Sequence, residues 1–514
     1  MNRITAIRQH HIVAAILDQH RVAFVFWTSA IFGLGLALLR PAWQVAVEPG
    51  QVLAGIVQYP PDNPFYIYQI KLWTILHQIS AVLLYAGVSE ISLSIFFNGV
   101  AGAMSFSALA LWTLAISDNP LASVFTPVVV IAAKIGEWGI NYPIYLMGSS
   151  HTYGMVGLSS VLLTSGLLAV GQHKWGGMLL AITPAIHPAL GLWCTVVVVS
   201  SILWDIRHSL PLFRNALPHL IIGYALTALS FIFNQITTWR ISALDPTLAR
   251  NYLTAFVRYW DVHRAPVDLF SINVIVIALG VCISSFWLKF MWSDLPENAV
   301  FLLRLYIVSG IAGANALLIH QLPPENVPPS LLILMPIRLL NFNAIGYLPI
   351  LLGILWRYPH PLSRFIIASL TAAFILMPFS RTNFLSAAIA AGLATIAIQT
   401  ILQSSFRLSD SDLTNRASML TSFLSSALIM GLAAMGLYTL RSSTSLLQSH
   451  QNMFGNYANE TLYRKLSRSD GMIATSPGVY MAQLITRRPV LLDVEALDML
   501  PYALEGGPQI NRIL

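Results

Sequence analysis

Charge is what this sequence has least of. Only 10% of its 514 residues are Asp, Glu, Lys or Arg, against roughly 25% in a soluble protein, so most of the chain cannot present a water-facing surface. The 28 Lys and Arg are scattered rather than gathered into a face or stripe. Nucleic acid is therefore excluded as a partner despite a formal net charge of +7. Cysteine is nearly missing as well. Cys194 and Cys282 both lie inside apolar runs, where a small hydrophobe is the usual role, and two such residues make no disulfide framework. No internal repeat and no low-complexity stretch is present. The first apolar run is as long as a membrane span and no small-residue cleavage site follows it, so the N-terminus does not read as a cleavable leader.

What the chain has is apolar length. Hydrophobic residues make up 56% of it and the mean hydropathy is +0.69. Arg21 and Arg40 enclose eighteen uncharged residues, close to the ~20 needed to cross ~30 Å of hydrocarbon. Similar runs predict spans at 22–39, 90–116, 121–136, 153–171, 216–235, 270–288, 301–319, 330–355, 365–378, 384–402 and 418–440. A further pair at 175–204 is interrupted by Pro184 and by His187-Pro188, and reads as a broken helix pair entering and leaving on one side. The expected fold is an all-α polytopic membrane protein of about 11–13 transmembrane helices over residues 1–440.

Between the first two spans lies a long loop, 40–89, punctuated by Pro41, Pro49, Pro60, Pro61 and Pro64, with 68–88 expected as one helix lying at the interface. Lys and Arg set the sidedness. With the N-terminus cytoplasmic, the inner pieces hold 11 Lys and Arg in 75 residues and the outer loops 8 in 100. The tail 441–514 then lies outside, and its charged residues, two strand-like runs at 471–476 and 489–494 and a helix-like run between them predict a small extracytoplasmic α/β segment. Its end at Leu514 reads as a larger domain cut short. The expected location is a bacterial plasma (inner) membrane.

An ionisable group at membrane depth costs at least ~2.5 kcal/mol on insertion scales, so such groups mark cavities and paths. The outer side gathers them: Glu48 and Asp62 in the first loop, Lys134, Glu137 and His151 around the third span, Arg258-Tyr-Trp-Asp-Val-His263-Arg264 in the long outer loop, Arg381 in a short turn, and His187 in the helix break. Each has a plainer reading. Glu48 fits a solvated loop carboxylate, Glu137 a partner of Lys134 one turn earlier, the Arg258–Arg264 cluster an interfacial belt, and His187 a cap for freed backbone groups. Together they suggest chemistry. A carboxylate can take a proton from an acceptor hydroxyl, basic groups can hold a lipid phosphate, and two outer carboxylates can share a divalent cation with that phosphate.

The long first outer loop with an acid soon after span one, the stretch Pro60-Pro-Asp-Asn-Pro-Phe65, the interfacial helix, about a dozen spans and an outer C-terminal α/β segment resemble the glycosyltransferase C superfamily. The resemblance implies sugar transfer from a polyprenyl-phosphate or polyprenyl-diphosphate donor at the outer leaflet, with an acidic residue of the first loop at the active centre. Carried onto this chain, that residue is Glu48, with Glu137 the second acidic position and Asp62 the other acid of the loop. His151, His187, Arg258, His263, Arg264 and Arg381 are then candidates for holding the lipid phosphate. The chain departs from the pattern in having no Asp-x-Asp pair or Asp-Glu doublet after span one and no Trp-Trp-Asp motif. Three other readings stand beside it: a polymerase or ligase of lipid-linked glycans, in which outer Arg and His dominate; a transporter or lipid flippase; and a structural membrane subunit. Membrane lipids are partners in every case. Sugar, acceptor, metal dependence and oligomeric state are not legible.

Overall fold

A computed structural model describes residues 20–132, 138–261, 263–290, 295–357, 461–475, 481–492 and 500–513. The expected spans at 365–378, 384–402 and 418–440, together with Lys134, Glu137 and Arg381, lie outside the described residues.

Among the described residues six helices are long and apolar enough to cross a membrane: Arg21–Leu38, Glu90–Ser117, Thr152–Ala169, Leu217–Thr238, Glu297–Ile319 and the interrupted stretch Pro329–Ile354. The chain is an all-α polytopic membrane protein. Glu90–Ser117 is the central post of the bundle. Ser89 starts it by accepting a hydrogen bond from the Ser92 N–H at 3.2 Å, and Asp118, in the left-handed conformation, ends it. By contrast only 17% of the Leu217–Thr238 window is buried in protein. Its outward side chains, among them Leu217, Ile221, Leu229 and Ile236, form an apolar belt suited to lipid.

Between apolar helices in lipid, close approach replaces the hydrophobic effect as the source of attraction. Gly33 and Gly102 supply it here: a Cβ on Gly33 would stand 2.1 Å from the Gly102 carbonyl oxygen, so the first span packs backbone to backbone on the central helix. Asn98 fixes the exit of that span. Its Nδ2 donates to the carbonyls of Ala37 (2.7 Å) and Arg40 (2.8 Å), and its Oδ1 accepts from the Gly148 N–H at 2.6 Å. At the opposite end of the bundle Arg21 pairs with Asp118 and the buried Arg304 with Asp205, both at 2.7 Å.

Two expectations change in detail. The interfacial segment 68–88 is two helices, Pro64–Lys71 and Ile75–Tyr85. Leu72 turns to an extended conformation and Thr74 restarts the helix by accepting from the His77 N–H, a polar cap that ends one helix axis and begins another. In the C-terminal segment the expected strand pair is reduced, among the described residues, to a single parallel bridge between Ile473 and Val490. Ile473 N–H donates to Pro489 O and Leu491 N–H to Ile473 O, both at 2.8 Å. Side chains hold this segment instead. Gln483 is buried among Glu48, Gln51, Tyr59 and Gln69, and Arg487 grips Glu90 with Nε and a terminal nitrogen at 2.8 and 2.9 Å.

Candidate anion-binding cavity between two broken helices

Two helix breaks face each other at the end of the bundle that carries the long loops. The first helix, His173–Ile186, stops at His187, whose backbone is extended, and Pro188 begins the next, Pro188–Trp204. Pro184 sits inside the first helix, so the break belongs to His187-Pro188 alone. The second break follows Pro329–Leu334. Met335 adopts a left-handed conformation (φ 43°) and Pro336 opens a single tight turn, Pro336–Arg338, before the long helix Leu339–Arg357 resumes. A non-glycine residue held there stores ~1–3 kcal/mol of strain, and such residues concentrate at functional sites. The carbonyls freed by this break find donors: Trp193 Nε1 reaches Leu334 O at 2.9 Å and Arg264 Nε reaches Leu332 O at 2.6 Å.

Between the breaks lies a cavity of about 200 Å³ whose polar lining includes His151, His187, Asp261, His263, Arg264, Arg338 and Tyr502. Four residues expected from sequence to hold a phosphate, His151, His187, His263 and Arg264, thus come together. Arg338 joins them; its signal in the sequence is a lone cation two positions after Pro336 inside an apolar run. Its guanidinium stands 4.9 Å from the centre of the Tyr142 ring and 3.1 Å from His187 Nε2, while its Nε is buried without a partner. Among the described residues no carboxylate pairs with it. His187 does not fully satisfy it. The same imidazole caps the following helix, its Nδ1 lying 3.3 Å from the Leu190 N–H, and a neutral ring has only one acceptor nitrogen.

The other groups are held firmly. Asp261 Oδ2 pairs with Arg264 and its Oδ1 accepts from the His263 N–H at 2.8 Å, so this ion pair is internally balanced. His263 Nδ1 lies 2.7 Å from the Asn141 carbonyl, which can only accept. In its neutral form the ring therefore carries its proton on Nδ1 and its lone pair on Nε2. His151 stacks on Tyr145 (5.7 Å between ring centres, 10° between planes). Burial, then repulsion between protonated forms of His151 and His263 and from the Arg338 guanidinium, hold its pKa below the ordinary 6.5. Burial pushes the Tyr502 phenol up, but the guanidiniums of Arg338 and Arg264 outweigh it and leave the pKa below 10. The local potential is positive.

Other candidates lie elsewhere. Glu48 is 1% exposed and lines neither this cavity nor its larger neighbour; its Oε1 accepts from the Leu484 N–H at 3.3 Å and its carbonyl from Gln483 Nε2 at 2.9 Å. The solvated-loop reading of Glu48 is therefore corrected: it is a buried carboxylate docking the C-terminal segment. Asp62 is exposed in its turn and lines neither cavity. Arg258 pairs with Glu325 at the neighbouring cavity. Glu137 and Arg381 lie outside the described residues. Among the described residues no group of three or more His, Cys, Asp or Glu is placed to hold a metal ion. Comparison with family models, curated proteins and solved structures gave no match.

Proposed function

We propose that this chain is an integral membrane glycosyltransferase that takes a polyprenyl-phosphate- or diphosphate-linked sugar at the extracytoplasmic face, with arginine and histidine rather than carboxylates around the reacting atoms. The observation that carries the reading is Arg338: a guanidinium with a buried, unpartnered Nε facing a positively biased cavity. Guanidinium matches phosphate geometry through parallel charge-assisted hydrogen bonds. Arg338 and His151 hold the phosphate. Tyr502, whose oxygen accepts from Arg264 at 3.3 Å, donates its own proton to a phosphate oxygen. An acceptor hydroxyl gives its proton to His263 Nε2 as its oxygen bonds to the anomeric carbon, and the bond from that carbon to the phosphate oxygen breaks with the electron pair left on the phosphate. Arg338 stabilises the charge that develops there.

The test uses the full chain in nanodiscs with a set of polyprenyl-phosphate- and polyprenyl-diphosphate-linked sugars. Release of the free polyprenyl phosphate or diphosphate from at least one donor, lost in Arg338→Gln, is expected. Failure to bind or turn over any of them would overturn the reading. A second reading, a transporter, draws on the meeting of two interrupted helices at one cavity. It predicts movement of labelled lipid phosphate between leaflets of proteoliposomes without bond cleavage.

A further inference from the structure

A second cavity, of about 500 Å³, lies beyond the Asp261–Arg264 pair, and both residues line both spaces. This volume is within the ~300–1,000 Å³ range of small-molecule sites. Its chemistry differs from that of the smaller cavity. Every ionic group along it is balanced, Arg264 by Asp261 and Arg258 by Glu325, so an anion gains nothing there over the Arg338 site. Tyr259 and Trp260 line it, Tyr259 mostly exposed and Trp260 about half.

The decisive residue is His320, at the end of the Glu297–Ile319 helix. It is 8% exposed, lines the cavity, and its Nδ1 is buried with no hydrogen-bond partner. Its backbone N–H donates to Ala316 O, the Arg264 backbone carbonyl stands beside its ring, and burial, then the Arg264 charge, hold its pKa below 6.5. A neutral ring that donates one N–H to a carbonyl leaves its other nitrogen as an acceptor. A buried acceptor without a donor is costly to leave unmade. An acyl chain would leave it unmade, and a phosphate would bring another acceptor. A hydroxyl answers it.

We propose that this second cavity binds a neutral polyhydroxylated ligand, a carbohydrate, with His320 Nδ1 accepting a hydrogen bond from one of its hydroxyls while the Trp260 and Tyr259 rings offer faces to its C–H surfaces. This proposal rests on the preceding functional reading only for its role. There the carbohydrate is the acceptor, and the shared Asp261–Arg264 wall brings its hydroxyl toward the phosphate-bearing donor.

The full chain in nanodiscs is titrated with a panel of free mono- and oligosaccharides, followed by saturation-transfer NMR and by Trp260 fluorescence, and separately with inorganic diphosphate. At least one saccharide is expected to saturate. Its affinity should fall about tenfold or more in His320→Phe, the scale of one lost hydrogen bond to a buried group. His320→Gln, which keeps an acceptor, should retain most of it, Trp260→Leu should lose it, and Arg338→Gln should leave it unchanged. Diphosphate should show the reverse pattern, sensitive to Arg338→Gln and indifferent to His320→Phe. Saturation by no saccharide, or saccharide affinity unmoved by His320→Phe and Trp260→Leu, would overturn the proposal, as would displacement by lipid acyl chains alone. Saccharide binding that follows His320 with no diphosphate binding would sink the phosphate reading and leave the carbohydrate site standing.

Discussion

Replacing Arg338 by Gln should move stability and ligand affinity in opposite directions. In the free protein the guanidinium brings a positive charge to the cavity, leaves Nε without an acceptor, and competes with a backbone N–H for His187. An unsatisfied buried donor costs ~1–3 kcal/mol. Removing the charge while keeping a polar amide should therefore leave the free protein equally stable or more stable by up to ~1 kcal/mol. The bound state loses what the cation supplies. Charge-assisted hydrogen bonds contribute ~1.5–3 kcal/mol, or about 10- to 100-fold in affinity for inorganic diphosphate. Turnover of a lipid-linked donor should fall by ~10²–10³, because the charge on the leaving phosphate is largest in the transition state. Arg338→Lys should fall between, keeping the charge but losing the planar fork. Thermal unfolding in nanodiscs reads the first quantity, and calorimetric titration with diphosphate at two ionic strengths reads the second. A variant that is destabilised by more than ~2 kcal/mol and binds diphosphate normally would make Arg338 a structural residue.

Two further outcomes follow from the same geometry. Because the pKa of His151 is held below the ordinary 6.5 in the free cavity, a bound phosphate should raise it and favour uptake of a proton; relative to His151→Gln, which shares the ligand's own titration, the native protein should gain diphosphate affinity as pH falls toward that pKa, and identical pH profiles for the two would contradict the assignment. The Glu48–Gln483 contact should matter for stability and not for turnover. Gln483→Ala leaves Tyr59, Gln69 and the Glu48 carbonyl without their 2.6–2.9 Å partner and should cost ~2–3 kcal/mol, seen as a lower melting temperature and faster proteolysis of the C-terminal segment. Glu48→Gln should keep donor turnover within about threefold, since a general base would be worth ~10²–10⁴; a loss of that size would restore Glu48 to the chemistry.

The spans were legible because the membrane imposes one length on all of them. Expected runs at 90–116, 153–171 and 216–235 correspond to helices Glu90–Ser117, Thr152–Ala169 and Leu217–Thr238, the first opened by the Ser89 cap and the third by Pro218. The break at His187-Pro188 was legible for the same reason, as proline chemistry inside an apolar run. The division of 68–88 was not. Thr74 looks like one more tolerated residue in a helical pattern, and only the extended turn at Leu72 makes it a cap. The reduction of the C-terminal strands to one bridge was also hidden. A β-rich run becomes a strand only when a ladder continues, and here Gln483 is held by the first loop and Arg487 by Glu90 at the start of the central helix instead.

The site was legible as a set of costs, not as an arrangement. His151, His187, His263 and Arg264 stood out because each is polar where polarity is expensive, and the fold brings all four to one cavity. Glu48 stood out by the same rule and does something else: a buried carboxylate can be spent on docking a backbone N–H as readily as on moving a proton. What separates the two uses is whether the group is satisfied within the protein. Around the second helix break the freed carbonyls of Leu332 and Leu334 each receive a donor, and Asp261 balances Arg264. Arg338, three residues past the break, keeps a donor that nothing in the described fold answers. A helix break whose freed carbonyls and neighbouring ion pair are answered, yet which leaves one guanidinium Nε unanswered beside a cavity, has the electrostatic form of a receptor for an anion, and phosphate is the anion whose geometry that fork fits best.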